Sequence, residues 1–182
     1  MANRSYLYTR HIGDDVEFRD LAEWNWELPP AHLILVGANP VACQSAIWSV
    51  DEKIAIEGDA SVARPIFLQF LEWLAPQLNA GFVAAAKEAR EYLTRADRQG
   101  DKFHLELGEI YELEGFDLPE MEIATQANAS LATEILLDVK RVLDMNGSTI
   151  DSFEHERLRA IFNWEEQFGC NFSHVLYFNL GG

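Results

Sequence analysis

Phe103-His104-Leu105-Glu106-Leu107-Gly108-Glu109-Ile110-Tyr111-Glu112-Leu113 is the stretch on which the fold class turns. Phe103, Leu105 and Leu107 alternate with His104 and Glu106, the period of a strand with one apolar face. Gly108 interrupts the strand, and Ile110 to Leu113 predicts a second short extended piece. A helix is predicted next, from Asn128 or Ser130 through Leu143, with Leu131, Ile135, Leu136, Val139 and Leu143 along one side.

Upstream, Ser5 to Arg10 reads as an aromatic strand closed by Gly13-Asp14-Asp15. Phe18 to Glu27 reads as an irregular or single-turn segment. Pro29-Pro30 opens a short helix through Val36, because Pro is favoured in a first helical turn. Asn39-Pro40 reads as a cap and first position for a second short helix, Val41 to Trp48. Lys53 to Asp59 is strand-like. Ser61 is positioned to cap a helix carrying Ile66, Phe67, Phe70, Leu71 and Leu74, and Phe82 to Arg98 completes a helical pair. Downstream, Ile150 to Phe168 predicts a last helix and Val175-Leu176-Tyr177-Phe178 a last strand.

Strands separated by helix pairs do not make the regular alternation of a doubly wound sheet. The pattern predicts one α+β domain over residues 1–182. Its small, mostly antiparallel sheet of short strands would lie under a layer of about five to six helices. A chain of 182 residues, 48% hydrophobic, is long enough to bury a core and is not disordered in composition.

From Phe103 to Val139 there is no Lys or Arg, but there are nine acids: Glu106, Glu109, Glu112, Glu114, Asp117, Glu120, Glu122, Glu134 and Asp138. They contribute to a formal net charge of -16. Such a surface repels polyanions and attracts basic proteins, which argues against nucleic acid or an anionic membrane as partner. No apolar run spans a bilayer and no signal peptide opens the chain, so a cytoplasmic protein with reduced thiols is expected.

Met1-Ala2-Asn3-Arg4-Ser5-Tyr6-Leu7-Tyr8, Gly108-Glu109-Ile110-Tyr111 and Val175-Leu176-Tyr177-Phe178 together resemble a family of bacterial proteins. Its members begin with this octapeptide and end in an aromatic strand. That family is a domain of unknown function, so the resemblance implies a bacterial, cytosolic, single-domain protein. It transfers no catalytic residue.

No phosphate-binding glycine loop and no Gly-x-Ser-x-Gly elbow is present, so no cofactor is expected and no catalytic or metal set is assigned. Cys170 and His174 could bring thiolate and imidazole together, but Gly169, Asn171 and Ser173 break helical spacing there. Cys43, among Val41, Ala42 and Ala46, reads as core. Glu106, Glu109, Glu112 and Glu114 offer hard oxygen ligands for Mg²⁺ or Ca²⁺, yet the calcium-loop pattern is missing. His155 and Glu156, beside Arg157 and Arg159, read as a solvated helix face.

The function that fits these features is an acidic protein-binding module, of the kind an immunity-type or regulatory inhibitor uses on a basic protein. Its partner-binding residues would be Glu106, Glu109, Glu112, Glu114 and Asp117 for charge, with Trp24 and Trp26 as anchors. The alternative is a small enzyme, such as a hydrolase, with a carboxylate and histidine pocket around His104, Glu106 and Glu109. The two differ in what they need: an acid-rimmed apolar patch for the first, a concave pocket with converging polar groups for the second.

Overall fold

The computed structural model describes residues 4–13 and 17–159. Among them five strands form one antiparallel sheet: β1 (Arg4–His11), β2 (Glu17–Asn25), β3 (Val41–Cys43), β4 (Ala55–Asp59) and β5 (Lys102–Glu106). Their order is β2-β1-β5-β4-β3, which puts β5 at the centre. Six α-helices accompany them: α1 (Pro30–Val36), α2 (Ala60–Leu74), α3 (Ala80–Thr94), α4 (Gly108–Glu114), α5 (Leu118–Asp144) and α6 (Glu156–Arg159). The α+β class and the antiparallel sheet are as the sequence predicts.

The side-chain alternation of a strand divides the sheet into two unlike faces. Leu7 pairs with Leu105, and Leu105 with Ile56, so these three line one face with Phe103 and join the hydrophobic core. Helices α1, α2 and α5 pack on that side. All seven residues of α1 are buried, which suits a helix enclosed by sheet and helices rather than one with a solvated stripe. Two glycines set how close the layers come. A Cβ on Gly58 of β4 would lie 2.1 Å from the Val36 carbonyl oxygen, and one on Gly37 would lie 2.5 Å from that of Ala132 on α5.

Several expected elements differ. Phe18 to Glu27 is no irregular turn: it is β2, whose register against β1 shifts between Leu7 and Tyr8. The bulge leaves Leu21, Ala22, Glu23 and Trp24 all buried, which erases the two-residue period. Val41 to Trp48 is not helical. Asn39 turns the chain at φ 49°, and Val41, Ala42 and Cys43 then pair with Glu57, Ile56 and Ala55. Ile110 to Leu113 lies in helix α4, not in a strand; Gly115 ends it at φ 81°.

Helix α5 begins ten residues before Asn128. Asp117 accepts from Glu120 N while the Glu120 side chain accepts from Asp117 N, both at 3.0 Å, the reciprocal cap expected of Asp-x-x-Glu. Asp59 occupies the cap position of α2, with Ser61 inside the helix, and Asn79 caps α3. Over its described part, the last predicted helix is a 3₁₀ turn (Ile150–Ser152) and then α6. The remainder of that helix, Cys170, His174 and Val175 to Phe178 lie outside the described residues.

Candidate functional site

The second face of the sheet is polar, and the register dictates which side chains meet there. His104 stands at its centre on β5, opposite Tyr8 of β1 and Glu57 of β4. Glu106, two residues along, points to the same face, as the strand period requires. Cys43 of β3 pairs with Ala55, itself opposite Glu106, and so reaches the same cluster diagonally.

Both imidazole nitrogens of His104 are engaged. Nε2 lies 2.8 Å from Glu106 Oε1, and Nδ1 lies 3.1 Å from Glu57 Oε1 and 3.7 Å from Cys43 Sγ. Glu106 is held in turn by the Ser45 hydroxyl at 2.6 Å and the Ala46 backbone N–H at 2.5 Å. Arg10 donates to both Glu57 oxygens, at 2.6 and 2.7 Å. Phe18 sets its ring edge-to-face against the imidazole, 4.9 Å between centroids. The cluster is secluded: His104 is 1% exposed, and Glu57 and Glu106 are buried.

Burial alone works against a charged imidazole, but hydrogen bonds to Cys43, Glu106 and Glu57 outweigh it and raise the His104 pKa to about 11. Burial also works against the Glu57 carboxylate. Its hydrogen bonds with His104 and Arg10 outweigh that too, so its pKa falls below the ordinary value. Removing one member of such a buried ionic set costs ~3–5 kcal/mol, because its partner stays buried and unpaired.

The residues singled out from the sequence separate into two groups. His104 and Glu106 meet, as their spacing implies. Glu109 sits on α4, where its carboxylate accepts from the Arg4 backbone N–H and the Tyr6 hydroxyl, each at 3.1 Å. It thus tethers α4 to β1 instead of joining His104. Trp24 is 6% exposed and Glu106 is buried, so neither can meet a partner. Trp26 is 59% exposed, on a backbone at φ 71°. Glu112 and Glu114 are exposed on α4, and exposed Asp117 caps α5.

Glu57, Arg10 and Ser45 were not singled out, and Cys43 was read as a core residue. Cys43 is half-buried on an edge strand and not in the core of a helix. The signal that could have found Glu57 is its place in the apolar run Ile54-Ala55-Ile56, where a lone acid implies a buried partner.

Close to Glu106, the loop 44–52 and Leu118 of α5 border a surface concavity of about 690 Å³, lined in part by Ile47, Trp48, Asp51 and Glu52. The Trp48 ring packs against Gly108, where an added Cβ would lie 2.8 Å from it. Among the described residues no helix is long and apolar enough to cross a membrane.

A family described as Domain of unknown function (DUF7822) matches residues 9–168 of the chain. The matched span contains Gly108-Glu109-Ile110-Tyr111 and all of the His104 network; the octapeptide Met1 to Tyr8 and the run Val175 to Phe178 fall outside it. No curated protein and no solved structure matches the chain.

Proposed function

The chain belongs to the DUF7822 family, a domain of unknown function, and from that premise we propose that it is a protein-docking module for a basic partner. The observation that carries this reading is the surface of α4 and the start of α5. Leu113 is 47% exposed and Ile123 is 71% exposed, and Glu112, Glu114, Asp117 and Glu120 are exposed around them in sequence. No Lys or Arg occurs between Phe103 and Val139 to neutralise them. The concavity beside Leu118 adds Ile47, Asp51 and Glu52 with the same mixture of apolar and acidic character.

Such a surface does two things for a basic partner. Its field accelerates encounter at low ionic strength, and its apolar side chains supply contact area once the charges have met. Acids presented in this way occupy a surface that would otherwise bind a polyanion, which is how an immunity-type or regulatory inhibitor would act. Trp24 and Glu106 take no part, since both are buried. Trp26, exposed at the strand ends from which α4 also departs, remains an available anchor.

Affinity capture from native lysate at low and high salt tests this, with wild type beside Glu112→Lys/Glu114→Lys. Two exposed charge reversals leave the capping box and the His104 network intact. The expected result is a basic protein retained at low salt, released at high salt, and held at least about tenfold more weakly by the variant. Retention indifferent both to salt and to the two reversals would remove the reading.

A further inference from the structure

We propose that Cys43, Glu57 and His104 form a binding site for a thiophilic divalent metal of the zinc class. Their ligating atoms are Cys43 Sγ, Glu57 Oε1 and His104 Nδ1, all within 4.8 Å of one another. This site is separate from the acidic docking surface and does not depend on it.

Geometry supports the assignment. With Zn–S near 2.3 Å and Zn–N near 2.0–2.1 Å, tetrahedral angles place sulfur and nitrogen about 3.6 Å apart. Cys43 Sγ and His104 Nδ1 are 3.7 Å apart. Nitrogen and carboxylate oxygen on one such ion would be about 3.4 Å apart; Glu57 Oε1 and His104 Nδ1 are 3.1 Å apart. Two of the three ligand–ligand distances thus lie within a few tenths of an ångström of the metal-bound values, and the third, Cys43 Sγ to a Glu57 oxygen, is within 4.8 Å. The three ligands stand on the adjacent strands β3, β4 and β5, a rigid support for fixed spacing.

The surroundings are those of a metal-binding histidine. Glu106 Oε1 lies 2.8 Å from His104 Nε2, so that nitrogen keeps its proton and donates, while an entering metal displaces the proton on Nδ1 and takes the lone pair directed at Cys43 and Glu57. Ser45 and Ala46 fix Glu106 in turn. A thiolate and an imidazole select against Mg²⁺ and Ca²⁺, which take oxygen ligands. Three protein ligands leave a fourth position for water or a ligand atom. Arg10 competes, since its guanidinium holds both Glu57 oxygens.

Cobalt(II) is the probe, used with the full chain carrying Cys170→Ser so that Cys43 is the only thiol. The expected signature is a thiolate-to-cobalt charge-transfer absorption in the near ultraviolet that saturates at one equivalent. Zn²⁺ displaces it and Mg²⁺ does not. Cys43→Ala abolishes it, and Glu57→Gln weakens binding at least about tenfold. Arg10→Gln, which frees Glu57, tightens binding, whereas in a purely structural ion network it would only loosen the cluster. Far-ultraviolet circular dichroism confirms that each variant is folded. If Cys43→Ala unfolds, alkylation of Cys43 in the parent decides, slowed at least tenfold by Zn²⁺ if the metal sits on the sulfur. The proposal is overturned by no charge-transfer absorption from folded protein at tenfold excess Co²⁺. The same absorption surviving in Cys43→Ala, or alkylation indifferent to Zn²⁺, overturns it equally.

Discussion

Two buried histidines in one fold show how surroundings rather than burial decide protonation. His104 has carboxylates at both ring nitrogens and is held charged. His32 lies on the wholly buried α1 with the Ser5 hydroxyl 3.2 Å from its Nδ1, and burial pushes its pKa down to about 3. The folded chain therefore keeps His32 neutral, while the unfolded chain takes up a proton below about pH 6.5. Stability from this residue is complete above that pH and is lost as pH falls toward 3, by about 1.4 kcal/mol per unit. Urea unfolding at pH 7 and pH 5 should show wild type losing about 2 kcal/mol more than His32→Gln over that interval. An equal loss in the two proteins would mean that His32 is not held neutral. In the sequence each histidine is flanked by apolar residues, and only Glu106, two residues on in a strand, marks His104 as different. The cross-strand register adds the second carboxylate, Glu57 opposite His104, to the one that the strand period already supplies in Glu106.

At the scale of elements, the parts legible in the sequence were those with an unbroken period or a local stop signal. β1, β4, β5, α1, α2 and α3 are of this kind. β2 was hidden because its bulge buries four consecutive residues, and β3 because three residues on an edge are too few to establish alternation. α4 was misread because Ile110-Tyr111-Glu112-Leu113 is short and begins with two residues that favour strands, and tertiary packing of Gly108 against Trp48 and the turn at Gly115 close it as a helix. The candidate site suffered from the error at β3, since that strand carries Cys43 and the loop after it carries Ser45. Where layers touch, a single methyl group decides. Gly58→Ala would drive a Cβ to 2.1 Å from the Val36 carbonyl oxygen, against backbone on both sides. Its expected cost is ~3 kcal/mol or more, read as a fall in the urea midpoint at unchanged slope. A change below ~0.5 kcal/mol would show that α1 and β4 can separate freely.

At the scale of the whole molecule, acidity was legible and its division between inside and outside was not. Composition alone gives a net charge of -16, yet Glu57, Glu106 and Asp138 are buried and paired, while Glu112, Glu114 and Glu134 meet solvent. Two opposed effects then govern how stability responds to salt. Screening weakens attractive exposed pairs such as Arg95–Asp97 and Arg19–Glu17. It also relieves repulsion within a chain whose acids outnumber its bases by 30 to 14. Exposed pairs are each worth little, with a median of ~0–1 kcal/mol, and the buried Glu57 and Glu106 contacts are poorly screened. Repulsion, summed over the whole acidic surface, should dominate. Raising NaCl from about 20 mM to about 500 mM shortens the Debye length from ~20 Å to ~4 Å and should raise Tm by about 3 °C. Glu112→Lys/Glu114→Lys, which moves the net charge four units toward neutrality, should gain less from the same salt. A Tm that falls with NaCl would mean that specific ion pairs outweigh the general field. The acidity would then serve the cohesion of the fold as well as the proposed contact with a basic partner.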